Sequence, residues 1–249
     1  MRRTRIVCLT AAAAVLALPL GAEDMQVTRV TVWKAKPGME AKFEEGLKRH
    51  NEFHRKLGDP MALLTAQVSS GPNTGAYVRL ASNRHWEDFD TEEKGMQADM
   101  ADTAVNTDPY IASATNAYYR LLTDVSRPQD SGAAMYALVF YQVKFGKVDD
   151  FMLAVRKYHE AIGKAQWPVH YAWFSLINGG DGPQFVLSLP RDKWADFNPP
   201  EKPFDKMLEE TMGRAEAESI NEMFDHAVSG VSTEIITTRT DLSYVPTKK

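Results

Sequence analysis

His50 and His54 stand four residues apart in the segment Met39–Leu57, where Met39, Phe43, Leu47 and Leu57 recur at helical spacing. Two imidazoles one turn apart share a helix face. Such a pair can hold a metal ion or offer an axial ligand to a haem. Spacing supplies no third ligand, and His85 and Glu52 are the nearest candidates. The plainer alternative is a capped, partly exposed pair. His226 is the third histidine of interest. It lies near the end of a helical stretch expected over Phe204–Val228, where an imidazolium also suits the helix C-terminus. His159 is expected on the solvent side.

A second set combines rings and cations on strands: Arg29, Trp33, Arg79, Tyr141, Tyr171 and Trp173. Strand alternation puts Arg29 with Trp33 and Tyr171 with Trp173 on one face. This face also carries Thr31, Thr65, Gln67, Tyr77, Val139, Ser175 and Phe185. Aromatic bodies with polar tips suit either a packed interface between sheets or a small-molecule cavity. A cavity of this kind would take a small apolar or aromatic ligand, with arginine as the anchor for an acid group. The opposite face is apolar: Val30 and Val32, then Leu64, Ala66 and Val68, with Leu138, Phe140, Ala172, Phe174 and Leu176 in the second half. It is expected to meet the helices, leaving the aromatic face to look away from them.

These residues sit on a duplicated scaffold. Shifting the chain by 108 residues matches Val30–Lys94 to Leu138–Lys202 without gaps. The identities include Lys36/Lys144, Gly38/Gly146, Phe43/Phe151, Gly71/Gly179, Trp86/Trp194 and Asp88/Asp196. His50 and His54 have Tyr158 and Ile162 as counterparts, so the histidine pair is no requirement of the scaffold. Each half reads strand, helix, hairpin, helix, strand, the βαββαβ order of a ferredoxin-like unit. The expected strands close at Tyr118–Val125 in the first half and Thr233–Asp241 in the second. In both halves an Asp follows Trp by two residues (Asp88, Asp196), the place of a helix cap. The domain reading is 1–22 signal peptide, 23–127 first repeat, 128–134 linker and 135–249 second repeat.

The strand ending in Lys36-Pro37-Gly38, the Glu/Lys-rich helix with Phe43, the hairpin and Trp86-x-Asp88-Phe89 resemble the dimeric α+β barrel superfamily. Its members include the antibiotic-biosynthesis-monooxygenase-like and NIPSNAP-like families. The resemblance runs through both copies. It implies α+β architecture, with the antiparallel sheets of the two repeats closing a barrel inside one chain. It also implies a range of activities: cofactor-independent oxygenation, haem-based chemistry, isomerisation or ligand binding. Fold alone does not choose among them. A filled structural or interaction domain is the remaining alternative.

Composition narrows the field. The 249 residues are 44% hydrophobic and 25% charged, with 29 Lys plus Arg against 33 Asp plus Glu. Beyond the N-terminus no basic run marks a nucleic-acid binder. There is no Gly-rich phosphate loop, no Gly-x-Ser-x-Gly elbow and no two-histidine zinc signature with its glutamate. No motif indicates a cofactor, and either a monomer or a homo-oligomer is compatible with this composition. Arg2, Arg3 and Arg5 precede the apolar run Ile6–Leu20, and Leu20-Gly21-Ala22 ends it ahead of Glu23-Asp24. That is the pattern of a cleaved secretory signal, pointing to a periplasmic or secreted protein with no stable membrane anchor. The single cysteine, Cys8, would leave with it, so thiol chemistry is excluded from the mature chain. Mass spectrometry of the exported protein is expected to find an N-terminus near Glu23. An intact Met1 in a cytosolic fraction would reject export.

Overall fold

Pairing between strands, more than local propensity, decides where the elements run. The computed structural model describes residues 26–129 and 132–246, and of 91–94 only the backbone. The expected signal segment lies outside the described residues. The first half comprises β1 (Val27–Ala35), α1 (Glu40–Leu57), β2 (Leu64–Ser70), β3 (Tyr77–Arg84), α2 (Trp86–Asn106) and β4 (Ile111–Leu121). The second comprises β5 (Met135–Val143), α3 (Val148–Lys164), β6 (Ala172–Asn178), β7 (Gln184–Arg191), α4 (Phe204–Met212), α5 (Arg214–Ala227) and β8 (Val228–Thr238). The closing strands start well before their expected positions. Ile111–Ala117 and Val228–Ser232 have little apolar alternation, yet β1 and β5 pair along them. A ladder partner outweighs weak intrinsic preference. The helix expected over Phe204–Val228 is two helices, because Gly213 adopts φ +83° between them. Asp88 and Asp196 accept backbone N–H bonds from His85 (2.8 Å) and Lys193 (3.0 Å), the capping role expected of them.

All eight strands pair antiparallel into one closed barrel in the order β1-β3-β2-β8-β5-β7-β6-β4, with β4 returning to β1. Two seams join the halves. At one, β2 meets β8 with Ala66 opposite Thr238 and Val68 opposite Ile236; at the other, β4 meets β6 with Leu121 opposite Phe174. Each seam has a register shift, and beside each lies one glycine of the Gly71/Gly179 pair. Both glycines have φ above +90°. A Cβ at Gly71 would lie 2.6 Å from the Thr233 carbonyl oxygen, and one at Gly179 would lie 2.3 Å from that of Asn116. Next to the β2–β8 seam, Arg239 donates to both oxygens of Glu44 on α1 at 2.8 Å and to Asp241 at 2.9 Å. These bonds hold Glu44 below the usual carboxylate range and Asp241 at about 2.

The two sheet faces are exchanged relative to the sequence expectation. Val30, Val32, Ala66, Val68, Val78, Leu138 and Ile236 pack together inside the barrel. The aromatic face looks outward onto the helices. Trp33 contacts Phe43 of α1, while Trp173 and Tyr141 contact Phe151 of α3. Alternation states which residues share a face, not which face is inside. An eight-stranded barrel is just wide enough for side chains to fill, and aliphatic groups do so here together with the rings of Tyr136, Phe140 and Phe174, which share their face. Trp33, Tyr141 and Trp173 occupy the sheet-to-helix layer. Neither Arg29 nor Arg79 points into the barrel: Arg29 lies over the Phe89 ring of α2, and Arg79 donates to Asn51 of α1 at 2.7 Å.

Gly58 has φ +66° at the end of α1, but a Cβ there would meet nothing within 4 Å. Gly58→Ala should therefore carry only the left-handed backbone penalty, about 1–2 kcal/mol. Gly71→Ala and Gly179→Ala add a backbone clash to that penalty. Chemical denaturation is expected to show larger losses for both seam variants than for Gly58→Ala. Equal losses in all three would reject the close approach at the seams.

Candidate functional site

The second half holds a cavity of about 580 Å³, partly open to solvent, between the outer face of its sheet and helices α3, α4 and α5, a size typical of small-molecule sites. Tyr141, Tyr171 and Trp173 form the sheet wall, Val155, Tyr158, His159 and Ile162 come from α3, and Phe204 and Phe224 close the far side. The rings interlock. Tyr141 lies 5.6 Å from Trp173 and 5.2 Å edge-on from Phe224, and Tyr158 lies 5.4 Å from Phe204. The chain after β4 sets the sheet wall in place. Arg127 and Tyr171 exchange backbone hydrogen bonds, and the Ser126 hydroxyl accepts the Trp173 N–H at 2.9 Å.

Few polar atoms reach this cavity. His159 Nδ1 and the Tyr171 hydroxyl are 2.8 Å apart. Tyr158 donates to Asn221 at 2.9 Å. Arg191 donates from Nη1 to the Pro190 carbonyl, while its Nε is buried without a hydrogen-bond partner. Asp205 and Asp225 complete the polar edge. Burial pushes the Tyr171 phenol up to about 12 and raises Tyr141 and Tyr158 as well, the last with help from the charges of Asp225 and Asp205. These phenols remain protonated at neutral pH.

Of the six strand residues singled out by sequence, Tyr141, Tyr171 and Trp173 meet in this cavity. Arg29, Trp33 and Arg79 lie on the other half against α1 and α2. Burial lowers Arg79 to about 10, with the Asp99 charge partly opposing the shift. His159 faces the cavity, not solvent, because Tyr171 draws it in. Tyr171 precedes β6, and its partnership with an α3 histidine twelve positions earlier leaves no local sequence signal.

His50 and His54 come together as their spacing implied, but they face α2 and the segment after β8. Their Nε2 atoms are 3.1 Å apart. His50 Nδ1 bonds Asp102 at 2.9 Å, and His54 Nδ1 bonds Asp59 at 2.9 Å. Burial holds His50 below the ordinary imidazole value, partly offset by Asp102. Asp99 Oδ1 is 3.5 Å from both Nε2 atoms. Neither His85 nor Glu52 is the third member of this group. His226 is exposed at the end of α5, and its carbonyl accepts Lys144 Nζ at 2.7 Å, so it does not join the pair.

A haem does not fit either place. The Nε2 atoms of His50 and His54 point at each other, so neither opens onto space for a macrocycle. In the cavity, His159 partners a phenol instead of the carboxylate or carbonyl that strengthens an imidazole ligand. Two carboxylates and one guanidinium line that cavity, where the two acid groups of a haem call for cations.

No known family profile matches the chain, and no curated protein matches it. Solved structures do. A candidate monooxygenase from Lactobacillus acidophilus superposes with a TM-score of 0.54 at 9% identity, covering 89% of this chain and 97% of the other. An anthrone oxidase-like protein gives 0.51 at 12% identity, covering 91% and 96%. A chlorite dismutase variant from Candidatus Nitrospira defluvii, solved with cyanide, gives 0.53 at 10% identity, covering 88% and 92%. With two βαββαβ units closing one barrel in a single chain, and with these neighbours, the protein has the dimeric α+β barrel fold in tandem-duplicated form.

Proposed function

We propose that the second-half cavity binds a small aromatic molecule bearing an oxygen acceptor, and that the protein does so outside the cytoplasm. The observation that carries this reading is an aromatic-walled space with the Tyr171 phenol and the Arg191 side chain among its lining residues. Ring faces supply stacking. The Tyr171 hydroxyl and the Arg191 guanidinium are the groups that would orient a phenol, ketone or carboxylate.

A second reading, an oxygenase-type reaction, is favoured by the His159–Tyr171 pair. A neutral imidazole beside the ligand can accept a proton from it, and the resulting electron-rich anion is the kind of species that reacts with dioxygen. The likeness to a candidate monooxygenase and an anthrone oxidase-like protein is compatible with this chemistry, although it is a likeness of fold.

Thermal-shift measurements with a panel of phenols, aromatic acids and tricyclic ketones test the binding reading. A ligand at 100 times its dissociation constant should add about 2.7 kcal/mol. Tyr171→Phe and Arg191→Gln should weaken binding with little change in the unliganded melting temperature. A panel without a single binder, or binding unaffected by both variants, would reject the reading. Oxygen uptake with anthrone, abolished in His159→Gln, would establish the second reading; binding without uptake would leave the first. A Soret band in the purified protein would overturn the haem-free account.

A further inference from the structure

The first half holds the strongest unassigned chemistry in the molecule. His50 and His54 each use Nδ1 to bond a carboxylate, Asp102 and Asp59 respectively. With Nδ1–H as the donor, each ring directs its Nε2 lone pair at the other across 3.1 Å. Two facing lone pairs repel unless a positive charge lies between them. A proton on the nitrogen–nitrogen line would relieve that repulsion but leave Asp99 unserved. Its Oδ1 is buried, has no hydrogen-bond partner, and stands 3.5 Å from each Nε2.

We propose that His50 Nε2, His54 Nε2 and Asp99 Oδ1 bind a divalent transition-metal ion of the Zn²⁺ class. The three separations, 3.1, 3.5 and 3.5 Å, describe one triangular face. A tetrahedral zinc with bonds of about 2.0–2.1 Å has ligand-to-ligand edges of about 3.3 Å. The triangle therefore fits that ion with only small adjustments. The outer shell is also in place, since a metal-bound histidine commonly donates its other N–H to a carboxylate that fixes its tautomer and orientation. Here Asp102 does this for His50 and Asp59 for His54. Three carboxylates surround the pair, with the Arg79 and Arg84 cations acting on His50 and Asp59 from the sheet side. Two imidazoles and one carboxylate leave a fourth position, the ligand count of an open zinc site.

The site belongs to the first half alone. The equivalent α3 positions carry Tyr158 and Ile162, and neither can serve there as such a ligand. It is also independent of the second-half cavity, so either assignment can fail without the other.

The test uses the full mature chain, stripped with a chelator and titrated calorimetrically with Zn²⁺ alone. One equivalent is expected to bind and to raise the melting temperature. Co²⁺ in its place should give the intense visible absorption of a tetrahedral site. Asp99→Asn is half-exposed and should fold; with His54→Gln it is expected to weaken Zn²⁺ binding at least 100-fold. Asp102→Asn, which touches no metal, should weaken it about 10–100-fold. His159→Gln and His226→Gln should leave it unchanged. Circular dichroism checks that each variant is folded. Absence of Zn²⁺ binding by the wild type, or equal binding by folded Asp99→Asn and His54→Gln, would overturn the proposal.

Discussion

Closure of the barrel is the constraint on which the rest depends. An antiparallel sheet of eight strands either ends in two edges that expose unpaired N–H and C=O groups, or closes on itself. Here the two halves provide each other's missing partners through β2–β8 and β4–β6. The glycines beside these seams follow from the same need, because the hairpins must pass close to the backbone of the opposite half. Once the ring is closed, its interior is narrow, and one alternating face of valine, leucine and isoleucine with Tyr136, Phe140 and Phe174 fills it. Trp33, Tyr141 and Trp173 lie on the other face, under the helices, and the histidine pair and the aromatic cavity both lie in that outer layer.

The duplication makes the outer layer a natural comparison of one helix face with itself. On α1 the face carries His50 and His54, and a set of carboxylates gathers around them. On α3 the corresponding face carries Tyr158 and Ile162, which line the aromatic cavity. The supporting helices diverged accordingly. In the first half one continuous helix, α2, brings Asp99 and Asp102 to the histidines. In the second the break at Gly213 lets α4 and α5 splay around open space. A shared barrel relieves each helix layer of any part in closing the sheet, so polar specialisation on one side and apolar enclosure on the other cause no conflict.

Much of this was legible in the residues. The 108-residue offset revealed the repeat, and the order of elements and the aspartate caps followed from it. The membership of each sheet face was legible too, since alternation is a local property. The direction of the faces was not, because it depends on barrel radius and on the helices' own rings. For the same reason Trp33, Arg29 and Arg79 parted from Tyr141, Tyr171 and Trp173: one face of a closed barrel spans separate helix layers. His50 and His54 were visible as a pair at helical spacing, whereas Asp99 lies 45 positions beyond His54 on another helix. The contact between His159 and Tyr171 likewise arises from helix-to-sheet packing.

Strand β8 follows all the other strands in the chain, yet it sits between β2 and β5. Until it is available, a growing or translocating chain presents both of those strands as bare edges. The barrel must therefore be finished by insertion of its last strand into a gap, with the β2 partner some 170 residues back along the chain. Contacts over such separations form slowly, and open edges are the surfaces through which immature chains associate. A duplicated barrel of this topology is thus a fold whose vulnerable period lasts until synthesis is almost complete, and a helper that shields sheet edges would act on it late.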